Sequence, residues 1–321
     1  MTNVHRTARD LDQLAERCPT TAPFSSTHAL RLGLAPEDLS DLVRTARLKR
    51  VLIGVYVRTH VADSLALRAA ALRLVVPDGS FVTDRSAAWL HGASMALAPG
   101  DHLEVPPLDV FRIPSATRLR NPIVVSGRRT VAADELCTVA GLVVTTPLRT
   151  ALDLGRLQRP DIALAGMDGL ARLQAFTVAE LVDAAARIRG ARGVVQLRRL
   201  APLVDPGAES PGESALRLRW LEAGLPRPQC QVLVQCADGH TYYLDIGLAD
   251  VRFGAEYDGA DWHGPDRAAH DTRRRQCITK RAGWHLEVFR AEHVHGRDQD
   301  AHYRLLRAWT EHAARRRRVV V

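Results

Sequence analysis

Long runs of uncharged apolar residues are missing from this sequence, which argues against a membrane-spanning helix. Arginine interrupts each candidate, as in LALRAAALRLVV, before the run reaches the roughly 18 residues that a membrane helix needs. The N-terminal segment MTNVHRTARDLDQ is polar and lacks the apolar core of a signal peptide. We therefore expect a cytoplasmic protein without membrane contact.

Cysteine is also scarce, with 5 residues in a chain of 321. The number is odd, the positions are scattered, and no two cysteines form a CxxC motif. This pattern excludes a disulfide framework, argues against a zinc ribbon, and fits a reducing compartment.

Lysine is nearly absent, since only Lys49 and Lys280 occur among 44 basic residues. Together with the abundance of alanine, this indicates high-GC codon usage, so the position of the charge is more informative than the number of arginines. Residues 1–204 carry 26 basic and 19 acidic side chains, whereas residues 205–321 carry 18 and 17. A positive excess in the front part of a chain with net charge +8 favours nucleic acid as a partner.

The length allows two or three domains, and the apolar and charged fractions of 46% and 25% are those of a globular protein. The stretch VDPGAESPGE is rich in proline, glycine and serine and marks a boundary. We predict a multidomain α+β protein with three parts. They are a winged helix-turn-helix domain at 1–61, a mostly helical connector with short β runs at 62–204, and a third domain at 205–321.

The first part shows three short apolar-periodic segments followed by an alternating stretch. Ser25 or Ser26 is a suitable N-cap for the second helix, and Pro36 suits the first turn of the third. KRVLIGVYVRT alternates around a central glycine, as a β-wing does. A winged helix would place basic side chains at the groove and phosphates of DNA, whereas the alternative is a small helical domain with a solvated arginine face. The candidate DNA-binding residues are Arg44, Arg47, Lys49, Arg50 and Arg58.

The third part predicts a helix, a three-stranded meander, a basic helix, a strand and a final helix. If Asp250 and Val251 form the turn of the second hairpin, paired positions sum to 501, so Asp245 faces Glu256. Directly opposed carboxylates repel each other. A bound Mg²⁺ or Mn²⁺ would remove this conflict, and the neighbouring glycines would let a phosphate approach; a solvated acidic face is the alternative.

Such a cation suits phosphodiester hydrolysis, because it polarises the phosphate and lowers the pKa of an attacking water. His263 follows the third strand and is a candidate general acid or base, although a surface loop histidine is the plain alternative. Ser210 and Glu213 form a capping-box pattern at the start of the first helix of this part, with Pro211 in its first turn.

The third part resembles the PD-(D/E)XK nucleases, in particular the branch similar to the very-short-patch-repair endonucleases. The resemblance rests on Glu213, YLDIGLADVRFGAEYDGADWH, HDTRRRQ and GWHLEVFR. It implies a restriction-endonuclease-like α/β fold in which Asp245 and Glu256 bind the metal, Glu213 is an accessory acid and His263 assists catalysis. Asp258 stands where that superfamily places a lysine. Lys280, Arg274 and Arg275 are candidates to supply the positive charge of that lysine.

The first part resembles the winged helix of AbiEi-type antitoxins of type IV toxin–antitoxin systems. HALRLGL and LVRTARLKRVLIGVYV carry this likeness, and LRTALDLG and DRSAAWLHG are similar to the connector of such proteins. Two functions follow: a Mg²⁺-dependent DNA endonuclease guided by a winged helix, or an antitoxin-like repressor with an inactive nuclease fold and a cognate toxin as partner. An RNA-processing nuclease is a more distant alternative, and the oligomeric state is left open.

Overall fold

The computed structural model describes residues 7–97, 108–115, 124–236, 239–259 and 274–319. The chain divides into two compact units. The first comprises residues 1–92 and 99–150, and the second comprises residues 93–98 and 151–321. Among the described residues, no helix is both long and apolar enough to cross a membrane.

The first unit begins with three short helices and a small antiparallel sheet in the order β1-β3-β2. Ser25 Oγ accepts a hydrogen bond from the backbone N–H of His28 at 3.1 Å, so the predicted N-cap is confirmed at Ser25. Pro36 opens the third helix as expected. The elements are α1 (Ala8–Glu16), β1 (Phe24–Ser25), α2 (Ser26–Arg31), α3 (Pro36–Arg44), β2 (Leu48–Leu52) and β3 (Val55–Arg58).

The rest of the first unit contains a five-stranded mixed sheet, in the order β6-β5-β4-β8-β7. The pairs β5–β6 and β4–β8 are parallel, and the other two pairs are antiparallel. The sequence showed short β runs here but not their assembly into one sheet. The elements are α4 (Leu65–Arg73), β4 (Phe81–Val82), α5 (Asp84–His91), β5 (Leu108–Arg112), β6 (Val124–Arg128), β7 (Leu136–Val139) and β8 (Leu142–Thr145).

Helices open the second unit, and a four-stranded sheet in the order β12-β11-β10-β9 follows. Strands β9, β10 and β11 form the predicted antiparallel meander, and β12 pairs parallel with β11. The helix α6 (Pro147–Leu157) spans the division between the two units. The other elements are α7 (Pro160–Arg172), α8 (Val178–Arg187), α9 (Val194–Leu200), α10 (Pro211–Glu222), β9 (Gln229–Gln235), β10 (Thr241–Leu248), β11 (Phe253–Tyr257), β12 (His285–Phe289), α11 (Ala291–Val294) and α12 (Ala301–Val319).

The register predicted for the second hairpin is confirmed. Ile246 pairs with Ala255, Gly247 with Gly254 and Leu248 with Phe253, so each pair sums to 501. The connection is longer than the expected two-residue turn, because a 3₁₀ turn at Ala249–Val251 and a left-handed Arg252 separate the strands. Both connections have the same centre, which is why the register is unchanged.

A buried ion pair joins α7 to α10 inside the second unit. Arg217 Nη2 donates to Asp168 Oδ2 at 2.6 Å, and the two side chains are 1% and 0% exposed. Ser214 Oγ donates to the same oxygen at 2.7 Å, and the backbone N–H of Asp205 donates to Oδ1 at 2.9 Å. The predicted domain boundary near residue 204 therefore lies between the two partners of one buried ion pair, Asp168 before it and Arg217 after it.

Candidate functional site

Glu256 on β11 is the most buried acid of the candidate site, at 5% exposure. Its two oxygens accept from one guanidinium: Arg274 Nη1 lies 2.9 Å from Oε2, and Arg274 Nη2 lies 2.5 Å from Oε1. Nη2 also donates to the carbonyl of Tyr243 at 2.7 Å. Burial raises the pKa of Glu256, and the charge and hydrogen bonds of Arg274 act in the opposite direction. Bidentate pairs of this kind are the strong class of charge-assisted hydrogen bonds.

Asp245 lies where the ladder between β10 and β11 ends. Its Oδ2 accepts from the backbone N–H of Tyr257 at 2.6 Å. Burial raises the pKa of Asp245 to about 7, and the negative charges of Glu213 and Glu256 contribute in the same direction. The Tyr257 N–H and the Arg274 charge oppose this shift. Three predicted metal ligands therefore act on one another electrostatically.

Glu213 is placed by the first turn of α10. Ser210 Oγ accepts from the Glu213 backbone N–H at 3.1 Å, which confirms the predicted N-cap. The reciprocal half of the capping box is absent, because Glu213 Oε2 accepts instead from the backbone N–H of Glu209 and from Gln231 Nε2, both at 2.9 Å. Burial raises the pKa of this carboxyl group.

The other candidates of the third part are distributed differently. Asp258 lies 3.3 Å from Arg275 and 3.7 Å from Arg290, so arginines stand around the position where the resembling nucleases have lysine. Lys280 is exposed on a π-helical segment, Cys277–Arg281. His263 lies outside the described residues, so its assignment stays a prediction.

The carboxylates present do not fit a divalent cation as they are arranged. Both oxygens of Glu256 are used by Arg274, and one oxygen each of Asp245 and Glu213 is used by N–H donors. Within the part of the chain that the structure describes, no group of three or more His, Cys, Asp or Glu side chains is placed to hold a metal. A cation would have to displace the Arg274 guanidinium.

The glycines of this hairpin do not open the sheet to a phosphate, contrary to the sequence-based expectation. A Cβ added at Gly247 would lie 3.2 Å from the Trp284 ring, and one at Gly254 would lie 2.8 Å from Leu244. Trp284 is itself 8% exposed and belongs to a core cluster. Because Gly247 and Gly254 have no side chain, the indole ring of Trp284 packs against them and takes the space that a ligand would need.

The predicted DNA-binding residues fall into two groups. Arg44 is 71% exposed beside Asp41, and Arg50 is exposed on β2. The other three are less exposed: Arg47 pairs with Asp12 at 2.7 Å, Lys49 donates to the carbonyl of Val61 at 2.6 Å, and Arg58 is half-buried.

Sequence reasoning missed two contacts near the site. The sequence predicted that Arg274 lies on the basic helix but did not predict its ion pair with Glu256. It also predicted no disulfide between Cys236 and Cys277, which are joined with a Cα–Cα distance of 6.1 Å. The separation of 41 residues gives no sequence signal for this pairing. The disulfide attaches the end of β9 to the helical segment that carries Arg274.

The Asp245→Asn variant should lose part of the pH dependence of stability. Folded Asp245 has a pKa of about 7, so between about pH 4 and 7 it keeps a proton that the unfolded chain releases. Its contribution to stability therefore falls as the pH rises through this window. As the pH rises from about 4.5 to 8, the wild type loses stability that the variant keeps. We therefore expect the difference in free energy of unfolding, variant minus wild type, to increase by about 1–3 kcal/mol over this range.

Urea unfolding at a series of pH values measures this difference. Comparing each variant with the wild type cancels the contribution of Asp109, whose pKa burial also raises to about 7. The exposed Asp250, replaced by asparagine, is the matched control. Parallel pH profiles for wild type and Asp245→Asn would contradict the expected result.

Comparison with known proteins places this chain among relatives. Residues 80–203 match the model of the AbiEi antitoxin C-terminal domain. Two proteins of Mycobacterium tuberculosis are similar to a larger part: uncharacterized protein Rv2248 of strain ATCC 25618 / H37Rv and uncharacterized protein MT2308 of strain CDC 1551 / Oshkosh. Each is 30% identical over 249 residues, which cover 77% of this chain and 87% of the relative. The chain belongs to the family of these two mycobacterial proteins.

The antitoxin resemblance is thus supported, and the matching residues show where it lies. DRSAAWLHG at 84–92 and LRTALDLG at 148–155 fall inside the matched range, which spans the five-stranded sheet and helices α6 to α9. The strings of the first part, HALRLGL and LVRTARLKRVLIGVYV, precede this range. The matched range therefore falls on the part for which the sequence predicts a connector.

Proposed function

We propose that this protein is an AbiEi-like antitoxin that binds DNA and represses transcription. The observation that carries the proposal is the antitoxin C-terminal domain match at residues 80–203, which is preceded in the chain by the three helices and the hairpin of residues 8–58. The antitoxin domain suggests a cognate toxin as the protein partner.

The geometry of residues 8–58 supports a DNA-binding role. Helices α2 and α3 are separated by a short turn through Gly33, whose φ of 78° lies in the left-handed region. The hairpin β2–β3 follows at once, in the order of a winged helix-turn-helix. In this interpretation Arg44 ends the helix that approaches the groove, and Arg50 on the wing contacts the phosphate backbone.

The third part resembles a restriction-endonuclease-like domain in sequence, and we propose that it does not cleave DNA. Arg274 donates a hydrogen bond to each oxygen of Glu256. Neither oxygen of this carboxylate is therefore free to bind a metal. Asp258 further departs from the lysine of the resembling nucleases. The domain then serves as a folded support for binding rather than as a hydrolase.

DNA binding by the full-length protein should be salt-dependent and should involve only two of the five predicted residues. Replacing Arg44 or Arg50 by glutamine should lower the slope of log K against log salt by about 1 for each lost phosphate contact. Arg47→Gln should leave the slope unchanged, because Arg47 is 23% exposed and is held by Asp12 and by the carbonyl of Ala8, whereas Arg44, which pairs with Asp41, is 71% exposed. Fluorescence anisotropy with a labelled duplex measures the slope for each of the three variants. Equal slopes for wild type, Arg44→Gln and Arg50→Gln would contradict the proposed contact.

A Mg²⁺-dependent endonuclease is the second candidate, favoured by the electrostatic contact among Asp245, Glu213 and Glu256. Incubating supercoiled plasmid with the protein and Mg²⁺ or Mn²⁺ separates the two functions. The repressor predicts no metal-dependent nicking. An endonuclease predicts nicking that Glu256→Ala and Asp245→Ala abolish and that His263→Ala reduces by about 10²–10⁴-fold, the usual size of general acid–base assistance.

A further inference from the structure

The last helix, α12, has one face in the core and another in solvent. Leu305 and Ala308 pack against the core that includes Trp220 and Phe253. The opposite face is exposed at Tyr303, Leu306, Arg307, Thr310, Ala314 and Arg317, and the exposed Glu311 lies one turn after Arg307. We call Arg307, Thr310, Ala314 and Arg317 the α12 arginine surface.

The arginines of this surface are available to a ligand. Arg307 and Arg317 are separated by ten residues of helix, which is about 15 Å. Among the described residues, neither arginine takes part in an ion pair. Thr310 and Ala314 lie between them, and their small side chains leave room for a rigid ligand to contact both guanidinium groups.

The surroundings of the helix keep the surface positive. Glu311 is the sole acid among residues 301–319, and its carboxylate lies 3.8 Å from Arg315. Arg316 Nη1 donates to the carbonyl of Asp250 at 3.3 Å, and His312 Nε2 lies 2.8 Å from the carbonyl of Val251. The β10–β11 loop is thus fixed against this end of the helix.

We propose that the α12 arginine surface binds the phosphate backbone of duplex DNA. Guanidinium groups match phosphate oxygens in charge and geometry. A protein interface of this size would be expected to have an apolar centre. Here Thr310 and Ala314 lie between the two arginines, and the exposed Tyr303 and Leu306 lie one turn before Arg307 and Thr310, at the N-terminal margin of the same face.

This contact extends the proposed DNA-binding function, on which it rests, and gives it a second phosphate-binding surface in the other unit. Backbone contacts raise affinity without adding sequence information. The chain would then read sequence through residues 8–58 and gain affinity through α12.

The test uses the full-length protein and a labelled duplex of random sequence. The double variant Arg307→Gln/Arg317→Gln should lower the slope of log K against log salt by about 2, at one unit for each phosphate contact. The control Arg187→Gln/Arg192→Gln removes two exposed arginines elsewhere and should leave the slope unchanged. Circular dichroism melting checks that both double variants are folded.

The outcomes separate this proposal from the proposed function. An unchanged slope for Arg307→Gln/Arg317→Gln, or an equal loss in the control, overturns the α12 contact; if Arg50→Gln then still weakens binding, the proposed function stands. A loss at α12 together with no effect at Arg44 and Arg50 supports the surface and contradicts the winged-helix contact. If the variant loses binding to polyglutamate but not to DNA, the surface binds an acidic protein and the proposal is wrong.

Discussion

Replacing Arg217 by methionine should lower the free energy of unfolding of the second unit by about 3–5 kcal/mol. The substitution leaves the carboxylate of Asp168, which is 0% exposed, without its cation in the middle of the unit. Methionine keeps most of the volume, so the loss reports the unpaired charge rather than a cavity. Urea unfolding followed by tryptophan fluorescence measures it, because Trp220 is buried in the same core.

Two controls make this result specific. The double variant Asp168→Asn/Arg217→Met removes both charges and should recover much of the loss. Arg172→Met breaks the exposed pair between Arg172 and Glu209, which lie 2.7 Å apart, and should cost less than about 1 kcal/mol. Equal small losses for Arg217→Met and Arg172→Met would show that the buried pair does not hold α7 and α10 together.

The Arg274→Ala variant should lose about 3 kcal/mol of stability at about pH 8 and less at about pH 5. Glu256 is then buried without a cation, so its pKa in the folded state rises further above that of the unfolded chain. The cost of ionising it grows as the pH rises from about 4, and protonation relieves it on the acid side. Urea unfolding at the two pH values measures this change.

Arg275→Ala is the matched control, because Arg275 pairs with Asp258 at 3.3 Å and is 44% exposed. Adding Mn²⁺ to Arg274→Ala at the higher pH tests the metal site directly. Recovery of stability with Mn²⁺ would show that the carboxylates bind a cation once Arg274 is removed and would favour the endonuclease. Recovery only by acidification supports Arg274 as the resident positive charge.

Local rules predicted much of this fold. The caps at Ser25 and Ser210 were predictable because each hydroxyl stands next to the backbone N–H groups that it satisfies. The register of β10 and β11 was predictable because the alternation of apolar residues and the short connection share one centre. In these cases the determining contacts lie within about twenty residues of sequence.

Contacts between distant residues were not predictable. The parallel pairs of the five-stranded sheet join segments that no local pattern relates, such as Val82 and Val144. Arg274 donates to both oxygens of Glu256, and Trp284 packs over Gly254. Both contacts depend on the path of the chain after β11. The acids of the candidate site and Arg274 could therefore be named from sequence, whereas the pairing of Arg274 with Glu256 could not.

Repression of a reporter gene tests the central claim most directly, with the DNA upstream of the protein's own gene as promoter. The account predicts that wild type and Glu256→Gln repress equally, whereas Arg44→Gln/Arg50→Gln relieves repression. The isosteric glutamine keeps one of the two acceptors for Arg274, its Oε1, and circular dichroism melting checks that the variant is folded. Loss of repression by Glu256→Gln, with repression unaffected by Arg44→Gln/Arg50→Gln, would contradict the account.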